Sequence, residues 1–434
     1  MAKRILFTTF GSLGDLHPYI AIALELKRRG YEVAIATSLH LREHIENAGL
    51  RFLHVRPDPS ETDRAIVRRF LDPTHGPRHL LKFLFSSVRE SFEDLSHVVK
   101  QADLLVTHPA TFAGPPVAKV TAMPWVSTVL SPLSFLSRSD PPVMPQMPSL
   151  DLRRMPRLLS RSIIALGKRS VYRWSKPLRR FYREIGLPLD FDPVFEGQHS
   201  PHRVLALFSS ILARAQPDWP PNTTITGFAF YDGNAPSSAA LEAFISAGEA
   251  PIVFTLGSAA WLSAGDFYKS SAAAVEMLGK RAILLGGPDL QDSISLSSSN
   301  IFAAGYVPYS KILPLAKAVV HSGGIGTTGQ ALRAGHPMVV VPFSHDQPDN
   351  AARLRSLGLC ETIHIRKYDA HEAARALTKI LSDRRYADNA HRASCRLKSE
   401  DGVKNACEAI VQVIEGHSPS LSTKFLSSDC RDLI

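Results

Sequence analysis

The sequence predicts an α/β protein with two Rossmann-like domains, whose parallel sheets face a central cleft. Short apolar runs alternate with helix-like segments along most of the chain, which is typical of βαβ units and parallel sheets. The alternation stops at residues 231–249, which begin with turn-forming residues and suit an interdomain linker, and then it resumes. A length of 434 residues also suits two domains.

The N-terminal domain is predicted to span residues 1–230. Residues 4–10 form a β-branched and aromatic run that predicts the first strand. The turn Gly11-Ser12-Leu13-Gly14 follows, and the next helix is expected to end at Gly30, since glycine is favoured just beyond a helix C-terminus. Later runs predict a helix at 41–48 and strands at 32–37, 52–55, 103–108, 125–130 and 204–208.

The C-terminal domain is predicted to span residues 250–415, where the alternation starts again. Its predicted strands lie at 251–256, 281–285, 318–321 and 338–342, and its helices at 266–278, 327–334, 348–357 and 370–381. The tail, 416–434, is rich in serine and is predicted to be poorly ordered.

Composition and cysteine usage exclude several classes of protein. Hydrophobic residues make up 44% and charged residues 21%, which is ordinary for a globular protein and excludes a disordered chain. No apolar run reaches the roughly 18 residues of a membrane span, and the chain enters its first strand without a separate secretory leader. The four cysteines form no CxxC pair and show no metal-ligand spacing. We therefore expect a cytoplasmic protein without a metal site.

Basic residues are concentrated in one segment, 153–183. It holds eleven Lys or Arg and no Asp or Glu, while the whole chain has a net charge of +10. Its apolar residues recur at helical spacing, so it is either a solvated helical face beside a cleft or a surface for an anionic membrane. No nucleic-acid recognition motif accompanies the charge, and nucleic acid is not an expected partner.

The segment 318–350 carries the strongest functional signal in the chain. A strand is followed by a turn that contains Gly323, Gly324 and Gly326, where missing side chains allow a ligand to approach the backbone. The free N–H groups at the start of the next helix predict a site for phosphate oxygens. His321 and Thr327 flank this turn and can donate further hydrogen bonds to the same phosphates.

An acid-amide pair follows the next predicted strand. Asp346 and Gln347 should line the same crevice, because the carboxyl ends of parallel strands lie at one edge of a sheet. A carboxylate beside an amide offers acceptors and donors, which suits a ligand rich in hydroxyl groups. The two features together predict a site for a sugar joined to a diphosphate.

The segment 318–350 resembles the nucleotide-sugar signature of the inverting glycosyltransferases with the GT-B fold. That family includes UDP-glycosyltransferases, bacterial antibiotic glycosyltransferases and sterol glucosyltransferases. Residues 11–18 resemble the acceptor-side loop of the family, and residues 254–258 resemble the first strand of its donor domain. Shorter stretches at 218–220, 226–228, 231–233 and 265–268 are similar to the rhamnosyltransferases of rhamnolipid synthesis.

The resemblance implies roles for residues on the donor side. The diphosphate would contact Ser258, and Tyr306 and Val307 would hold the nucleobase. His321 and the residues of the glycine-rich turn, namely Gly323, Gly324, Gly326 and Thr327, would hold the phosphates. Asp346 and Gln347 would bind sugar hydroxyl groups.

On the acceptor side, the resemblance implies that Asp15 is the general base. Gly11, Ser12 and Gly14 belong to the loop that presents it, and His17 and His108 are expected to lie on the same acceptor side. Plant members of the family pair a catalytic histidine with a carboxylate after a later strand. The corresponding stretch here, 107–109, contains no carboxylate, so Asp15 is expected to act without a partner.

The implied activity is transfer of glucose from UDP-glucose, or of rhamnose from dTDP-L-rhamnose, to a hydroxyl group of a lipophilic small molecule or lipid. Configuration at the sugar would invert, with no cofactor beyond the nucleotide-sugar co-substrate and no metal. Two alternatives remain open from the sequence. One is a sugar-nucleotide epimerase on the same two-domain scaffold, and the other is a catalytically silent nucleotide-sugar-binding partner protein. A dehydrogenase is disfavoured because neither half has GxGxxG after its first strand.

Overall fold

The computed structural model describes residues 2–59, 64–233, 238–287, 290 and 298–416. Its N-terminal half contains a parallel sheet of seven strands in the order β3-β2-β1-β4-β5-β6-β7. The strands of this sheet are β1 (Arg4–Thr8), β2 (Glu32–Thr37), β3 (Arg51–His54), β4 (Leu104–Thr107), β5 (Trp125–Val129), β6 (Arg203–Ala206) and β7 (Thr223–Ile225).

The C-terminal half contains a second parallel sheet of six strands, in the order β10-β9-β8-β11-β12-β13. Its strands are β8 (Ile252–Thr255), β9 (Ala282–Leu285), β10 (Ile301–Ala304), β11 (Ala318–His321), β12 (Met338–Val340) and β13 (Cys360–Thr362). The predicted α/β class with two Rossmann-like parallel sheets is confirmed. All predicted strands are present, and most are shorter than predicted by one or two residues at an end.

Helices connect and cover the strands. In the N-terminal half they are α1 (Leu13–Arg28), α2 (Arg42–Asn47), α3 (Arg64–Phe70), α4 (Gly76–Ser86), α5 (Val88–Val98), α6 (Gly114–Val120), α7 (Arg157–Trp174) and α8 (Lys176–Glu184). In the C-terminal half they are α9 (Ala239–Ser246), α10 (Gly257–Ala260), α11 (Phe267–Met277), α12 (Tyr309–Ile312), α13 (Ile325–Ala334), α14 (Gln347–Ser356), α15 (Ala370–Ser382), α16 (Arg384–Leu397) and α17 (Gly402–Ile414). None of the helices in the described part of the chain is long and apolar enough to cross a membrane.

The strand order places the crevice of each sheet at a defined point. In both sheets the order reverses beside the first strand, between β1 and β4 and between β8 and β11. Thr8 pairs with Thr107, and Thr255 pairs with His321, so the loops that follow these strands leave the same edge of their sheet. Ligands of open parallel sheets bind at such reversal points. The loops beginning at Gly11, His108, Gly257 and Ser322 lie at these reversal points.

The last described helix, α17, departs from the predicted domain organisation. The sequence assigns 250–415 to the C-terminal domain, but α17 packs its buried residues Ala406, Cys407 and Ile410 into the core that surrounds β1 and α1. The chain thus returns to the first sheet at its end. The predicted linker, 231–249, contains α9, and its residues 234–237 lie outside the described residues, as does the predicted tail after residue 416.

Candidate active site

Asp15 lies in the first turn of α1, which begins after the loop that follows β1. The backbone N–H of Ser12 donates a hydrogen bond to Asp15 Oδ2 at 2.8 Å, and the Ser12 hydroxyl donates to the same oxygen at 3.0 Å. Gly11 has a φ of +131°, and a Cβ atom there would lie 2.3 Å from Asp15 Oδ2. The loop therefore needs glycine at position 11. Its hydrogen bonds go to Oδ2 of Asp15 and leave Oδ1 available.

His108 faces the other oxygen of the same carboxylate. Its Nε2 lies 3.4 Å from Asp15 Oδ1, and its Nδ1 accepts a hydrogen bond from the Ala110 N–H at 3.0 Å. Because Nδ1 accepts, the neutral ring carries its proton on Nε2, which points at the carboxylate. The expectation that Asp15 lacks a partner is therefore corrected. The partner is an imidazole after β4, where the plant enzymes of the resembling family have a carboxylate.

The charge state of Asp15 follows from these neighbours. The carboxylate is about two thirds covered, with 33% of the side chain exposed, and burial by itself would raise its pKa. The hydrogen bond from His108, together with the hydrogen bonds from Ser12, outweighs burial and lowers the pKa of Asp15 below its ordinary value. Asp15 is therefore ionised at neutral pH and can accept a proton.

The glycine-rich turn of the second sheet leads into α13. Gly323 has a φ of +86°, and a Cβ atom on it would lie 2.8 Å from a methyl group of Val340, so this position requires glycine. Gly324 directly precedes α13, which has ten residues. The first backbone N–H groups of such a helix lack intrahelical partners and attract anions.

His321 lies at the end of β11, beneath this turn. It is fully buried, and its Nδ1 accepts the N–H of Gly323 at 3.1 Å. Its Nε2 is a buried atom with no hydrogen-bond partner among the described residues. Burial lowers the pKa of His321 to about 4, so the ring is neutral at pH 7 and Nε2 carries an unused proton. An unsatisfied buried donor next to a helix N-terminus is suited to a phosphate oxygen.

The two glycine-containing loops meet across the cleft. A Cβ atom on Gly326, in the first turn of α13, would lie 3.4 Å from the Cα of Gly14 in α1. The N-termini of two helices, one from each half of the chain, are therefore in contact. Asp15 and the phosphate-type site at α13 belong to one continuous site.

A cavity of about 490 Å³ extends from this contact along the second sheet. Its lining includes five of the predicted donor residues, namely Ser258, Tyr306, Val307, Gly326 and Thr327. The volume is within the range of small-molecule sites. The lining also contains five aromatic residues, namely Phe228, Phe230, Tyr231, Trp261 and Tyr309. Phe228 and Tyr231 lie in the stretches 226–228 and 231–233 that resemble rhamnosyltransferases, whereas the sequence analysis does not single out the other three.

His17, which is predicted to lie on the acceptor side, also lines this cavity. Its ring centre is 5.3 Å from that of Tyr231, and burial, with a smaller effect from His44, lowers the pKa of His17 to about 4. The ring is therefore uncharged at neutral pH.

Asp346 and Gln347 lie at the start of α14, and their side chains have different hydrogen-bond partners. Gln347 is buried, and its Oε1 accepts the backbone N–H groups of Phe343 at 2.7 Å and Ser344 at 3.3 Å. The amide oxygen is thus used internally, and Nε2 is left as the group that can donate to a ligand. The predicted pair is expected to offer acceptors and donors together, and of the Gln347 amide only the donor remains for a ligand.

Asp346 is in a different electrostatic environment from Asp15. Its Oδ2 accepts a hydrogen bond from Asn350 Nδ2 at 2.7 Å. Burial raises the pKa of Asp346 to about 7, against the effect of Asn350 and with a contribution from the charge of Asp15. The pKa of one carboxylate of the cleft is therefore lowered, while that of the other is raised towards neutral pH.

A buried ion network joins the two halves of the chain beside Asp346. Arg353 donates to Asp349 Oδ2 at 2.8 Å on its own helix and to Asp140 Oδ2 at 2.6 Å from the N-terminal half. The second oxygen of Asp349 accepts the N–H of Val143 at 3.0 Å. This network holds the loop around Asp140 against the helix that carries Asp346 and Gln347. No local sequence pattern marks it, since its members are distant in the chain.

The described residues contain no group of three or more His, Cys, Asp or Glu side chains that could hold a metal ion. The sequence expectation that no metal takes part stays a prediction.

Comparisons with known protein families match both halves of the chain. Residues 5–108 match the N-terminal domain of glycosyltransferase family 28, and residues 285–414 match the C-terminal domain of erythromycin biosynthesis protein CIII-like proteins. O-mycaminosyltylonolide 6-deoxyallosyltransferase of Streptomyces fradiae is 30% identical, over 96% of this chain and 100% of its own length. A sterol 3-beta-glucosyltransferase of Arabidopsis thaliana is 27% identical, over 96% of this chain and 66% of its own length.

Solved structures are similar over nearly the whole chain. The glycotransferase of kitacinnamycin superimposes with a TM-score of 0.70 at 19% identity, covering 95% of this chain and 99% of its own. Spinosyn rhamnosyltransferase SpnG superimposes with a TM-score of 0.67 at 19% identity, covering 94% of this chain and 100% of its own. These likenesses support the fold. The chain spans 26% of the sterol 3-beta-glucosyltransferase of Debaryomyces hansenii, to which it is 28% identical.

Proposed function

Because the chain belongs to the nucleotide-sugar-dependent glycosyltransferases with the GT-B fold, we propose that it transfers a hexose to a hydroxyl group of a lipophilic molecule. Relatives named for O-mycaminosyltylonolide and for sterols support an acceptor of this class. The observation that carries the proposal is the contact between the first turns of α1 and α13. It brings an ionised carboxylate and an anion-binding helix N-terminus into one cleft.

The proposed reaction is a direct displacement at the anomeric carbon. Asp15 Oδ1 accepts the proton of the acceptor hydroxyl while the acceptor oxygen attacks the sugar from the side opposite the diphosphate. The bond between the anomeric carbon and the diphosphate oxygen breaks, and the configuration inverts. An ionised aspartate is a weak base for an alcohol, so proton transfer occurs late, when the attacking oxygen has become acidic.

His108 is a positioning residue in this proposal. Its Nε2–H holds Oδ1 of Asp15 in the cleft, and its Nδ1 is occupied by the Ala110 N–H, so the ring has no free nitrogen to act as the base itself. Ser12 holds the other oxygen. The carboxylate is therefore oriented from both sides before the substrate arrives, which reduces the cost of reaching the reactive geometry.

On the donor side, the unused Nε2–H of His321 and the first N–H groups of α13 support binding of the diphosphate and of the charge that develops on it. These groups would stabilise the leaving group without a metal ion. Tyr306 and Val307 are proposed to hold the nucleobase, and Ser258 the diphosphate, since all three line the same cavity. Asp346 and the Nε2 of Gln347 are proposed to bind sugar hydroxyl groups.

The donor is proposed to be UDP-glucose or dTDP-L-rhamnose. Relatives named as a glucosyltransferase and as a 6-deoxyallosyltransferase support a hexose and a 6-deoxyhexose respectively. Both donors present the vicinal hydroxyl groups that a carboxylate and an amide can bind.

Turnover with both donors tests the proposal. The protein is mixed with each donor and a panel of sterols, hydrophobic alcohols and phenols, and the glycoside and the released nucleotide are measured by mass spectrometry. We expect one donor to be consumed together with a panel member, and Asp15→Asn to bind that donor without turnover. Formation of an epimerised nucleotide sugar without a glycoside would contradict transfer, and failure of both donors to bind would contradict the assignment of the donor site.

A further inference from the structure

The outer face of α7 is unusual among the described surfaces. The 18-residue helix carries four exposed large apolar side chains, namely Leu158, Leu159, Leu166 and Tyr172, and Leu158 is 79% exposed. Isolated apolar residues at a surface are ordinary, whereas several on one helix mark an interaction site. We call this outward side of Arg157–Trp174 the α7 face.

Cations lie between these apolar residues. Arg169 is three helical turns beyond Leu158, and Arg173 is two turns beyond Leu166, so each shares a side of the helix with a leucine. Arg161, Arg169 and Arg173 are exposed, and within the described residues no ion pair neutralises them. The α7 face thus combines insertable apolar groups with uncompensated positive charge.

The inner side of the same helix leads towards the proposed acceptor side of the cleft. Trp174 packs against a cluster that contains Phe85, Phe112 and Phe10, and Phe10 directly precedes the loop of Gly11. One apolar cluster therefore extends from under the α7 face to the loop that presents Asp15. A lipophilic acceptor held at a membrane would be near the cleft if α7 were docked there.

We propose that the α7 face docks on the surface of an anionic lipid bilayer. The charge selects an anionic partner, and the exposed leucines select a surface with an accessible hydrocarbon layer rather than an acidic protein or a nucleic acid. The inference goes beyond the proposed function, because vesicle binding requires neither donor nor turnover. It is a peripheral contact, in keeping with the lack of a membrane-spanning helix in the described ranges.

Vesicle sedimentation tests the proposal with the full chain. Vesicles of phosphatidylcholine alone are compared with vesicles that also contain phosphatidylglycerol, at low and at high salt. We expect binding to the anionic vesicles that weakens with salt. The triple variant Arg161→Gln/Arg169→Gln/Arg173→Gln should bind roughly 100-fold more weakly, at about fivefold per cation. Leu158→Ser/Leu166→Ser should weaken binding as well, although it leaves the charge unchanged.

A matched control removes the same charge elsewhere. Arg384, Arg385 and Arg392 are exposed on α16, and their replacement by Gln should leave vesicle binding within about twofold of wild type. Transfer to a water-soluble acceptor should be unchanged in the α7 variants, which separates this inference from the proposed function.

Three outcomes would overturn the proposal. Wild-type protein that stays in the supernatant with anionic vesicles at low salt is the first. An equal loss of binding in the α16 control is the second, because it would mean that net charge alone is responsible. The third is a dimer in sedimentation velocity that Leu158→Ser/Leu166→Ser converts to a monomer, with no vesicle binding, since the α7 face would then contact a second copy of the chain.

Discussion

Replacing His108 by Asn should move the acid limb of the pH profile of kcat/KM to higher pH. The Oδ1 of an asparagine can accept the Ala110 N–H in place of Nδ1, but the shorter side chain cannot reach Asp15. The local turn is thus kept while the contact with the carboxylate is lost. Because burial then acts on Asp15 with less opposition, the pKa of Asp15 should rise.

The size of the rise in the pKa of Asp15 follows from the contact with His108 that is lost. A hydrogen bond to a charged group contributes about 1.5 to 3 kcal/mol, and the separation of 3.4 Å between Nε2 and Oδ1 favours the lower figure. Since one pKa unit corresponds to about 1.4 kcal/mol, the acid limb of kcat/KM should move up by about one unit. By comparison, Asp15→Asn removes the base and should lower kcat by roughly 100- to 10,000-fold.

An exchange of the two residues provides a second readout. Asp15→His should be strongly impaired, because it places two imidazoles together, and His108→Asp should be impaired by repulsion between two carboxylates. The double variant Asp15→His/His108→Asp restores a contact between an imidazole and a carboxylate, with the two groups in exchanged positions. We expect it to recover at least about tenfold in kcat/KM over the better single variant, because the two side chains act as a unit.

The assay is steady-state transfer between about pH 3 and pH 9, a range that includes the low pKa of Asp15, with nucleotide release followed for each variant. His97→Asn, at an exposed position on α5, serves as the control for replacing a histidine. An unchanged acid limb in His108→Asn, together with an exchange variant no better than the single variants, would refute the role of His108. Near-ultraviolet circular dichroism verifies that the variants are folded.

The remaining predictions concern the donor site, the loop and stability. His321→Ala removes a donor to a charged phosphate and should raise the donor Kd by roughly 10- to 100-fold in calorimetry, whereas a change below twofold would contradict the assignment. Gly11→Ala should lower kcat without changing donor affinity, since its Cβ would displace the Asp15 carboxylate; steady-state kinetics with a donor titration checks this. Arg353→Leu leaves Asp349 buried without its cation and should lower the free energy of unfolding by roughly 3 to 5 kcal/mol in urea. Finally, the folded pKa of His321 is about 4, so its ring binds a proton more tightly in the unfolded chain, and its contribution to stability should be lost as the pH falls from about 6.5 to about 4. The difference in the free energy of unfolding between wild type and His321→Ala should therefore change across this window and be constant above it.

The sequence by itself determined most of the strands, although not β7, β10 and β13, and the donor-type signature. Strands such as 318–321 are continuous apolar runs because both faces of a parallel sheet are buried, and that pattern is local. Gly323 can be recognised in the same way, because the need for a missing side chain at a strand-to-helix turn is a property of a few consecutive residues. The family resemblance rests on such short segments, and comparisons with known proteins confirm it.

Only the tertiary structure decided which of these segments touch. His108 meets Asp15 because β1 and β4 are neighbours in the first sheet, and nothing in either local sequence encodes that pairing. The same holds for Arg353 with Asp140, which are joined across the two halves of the chain, and for α17, which returns to the first sheet. Local patterns specify which faces must be buried, but the partner that buries each face is chosen by the packing of the whole chain, in which distant residues compete for the same contact.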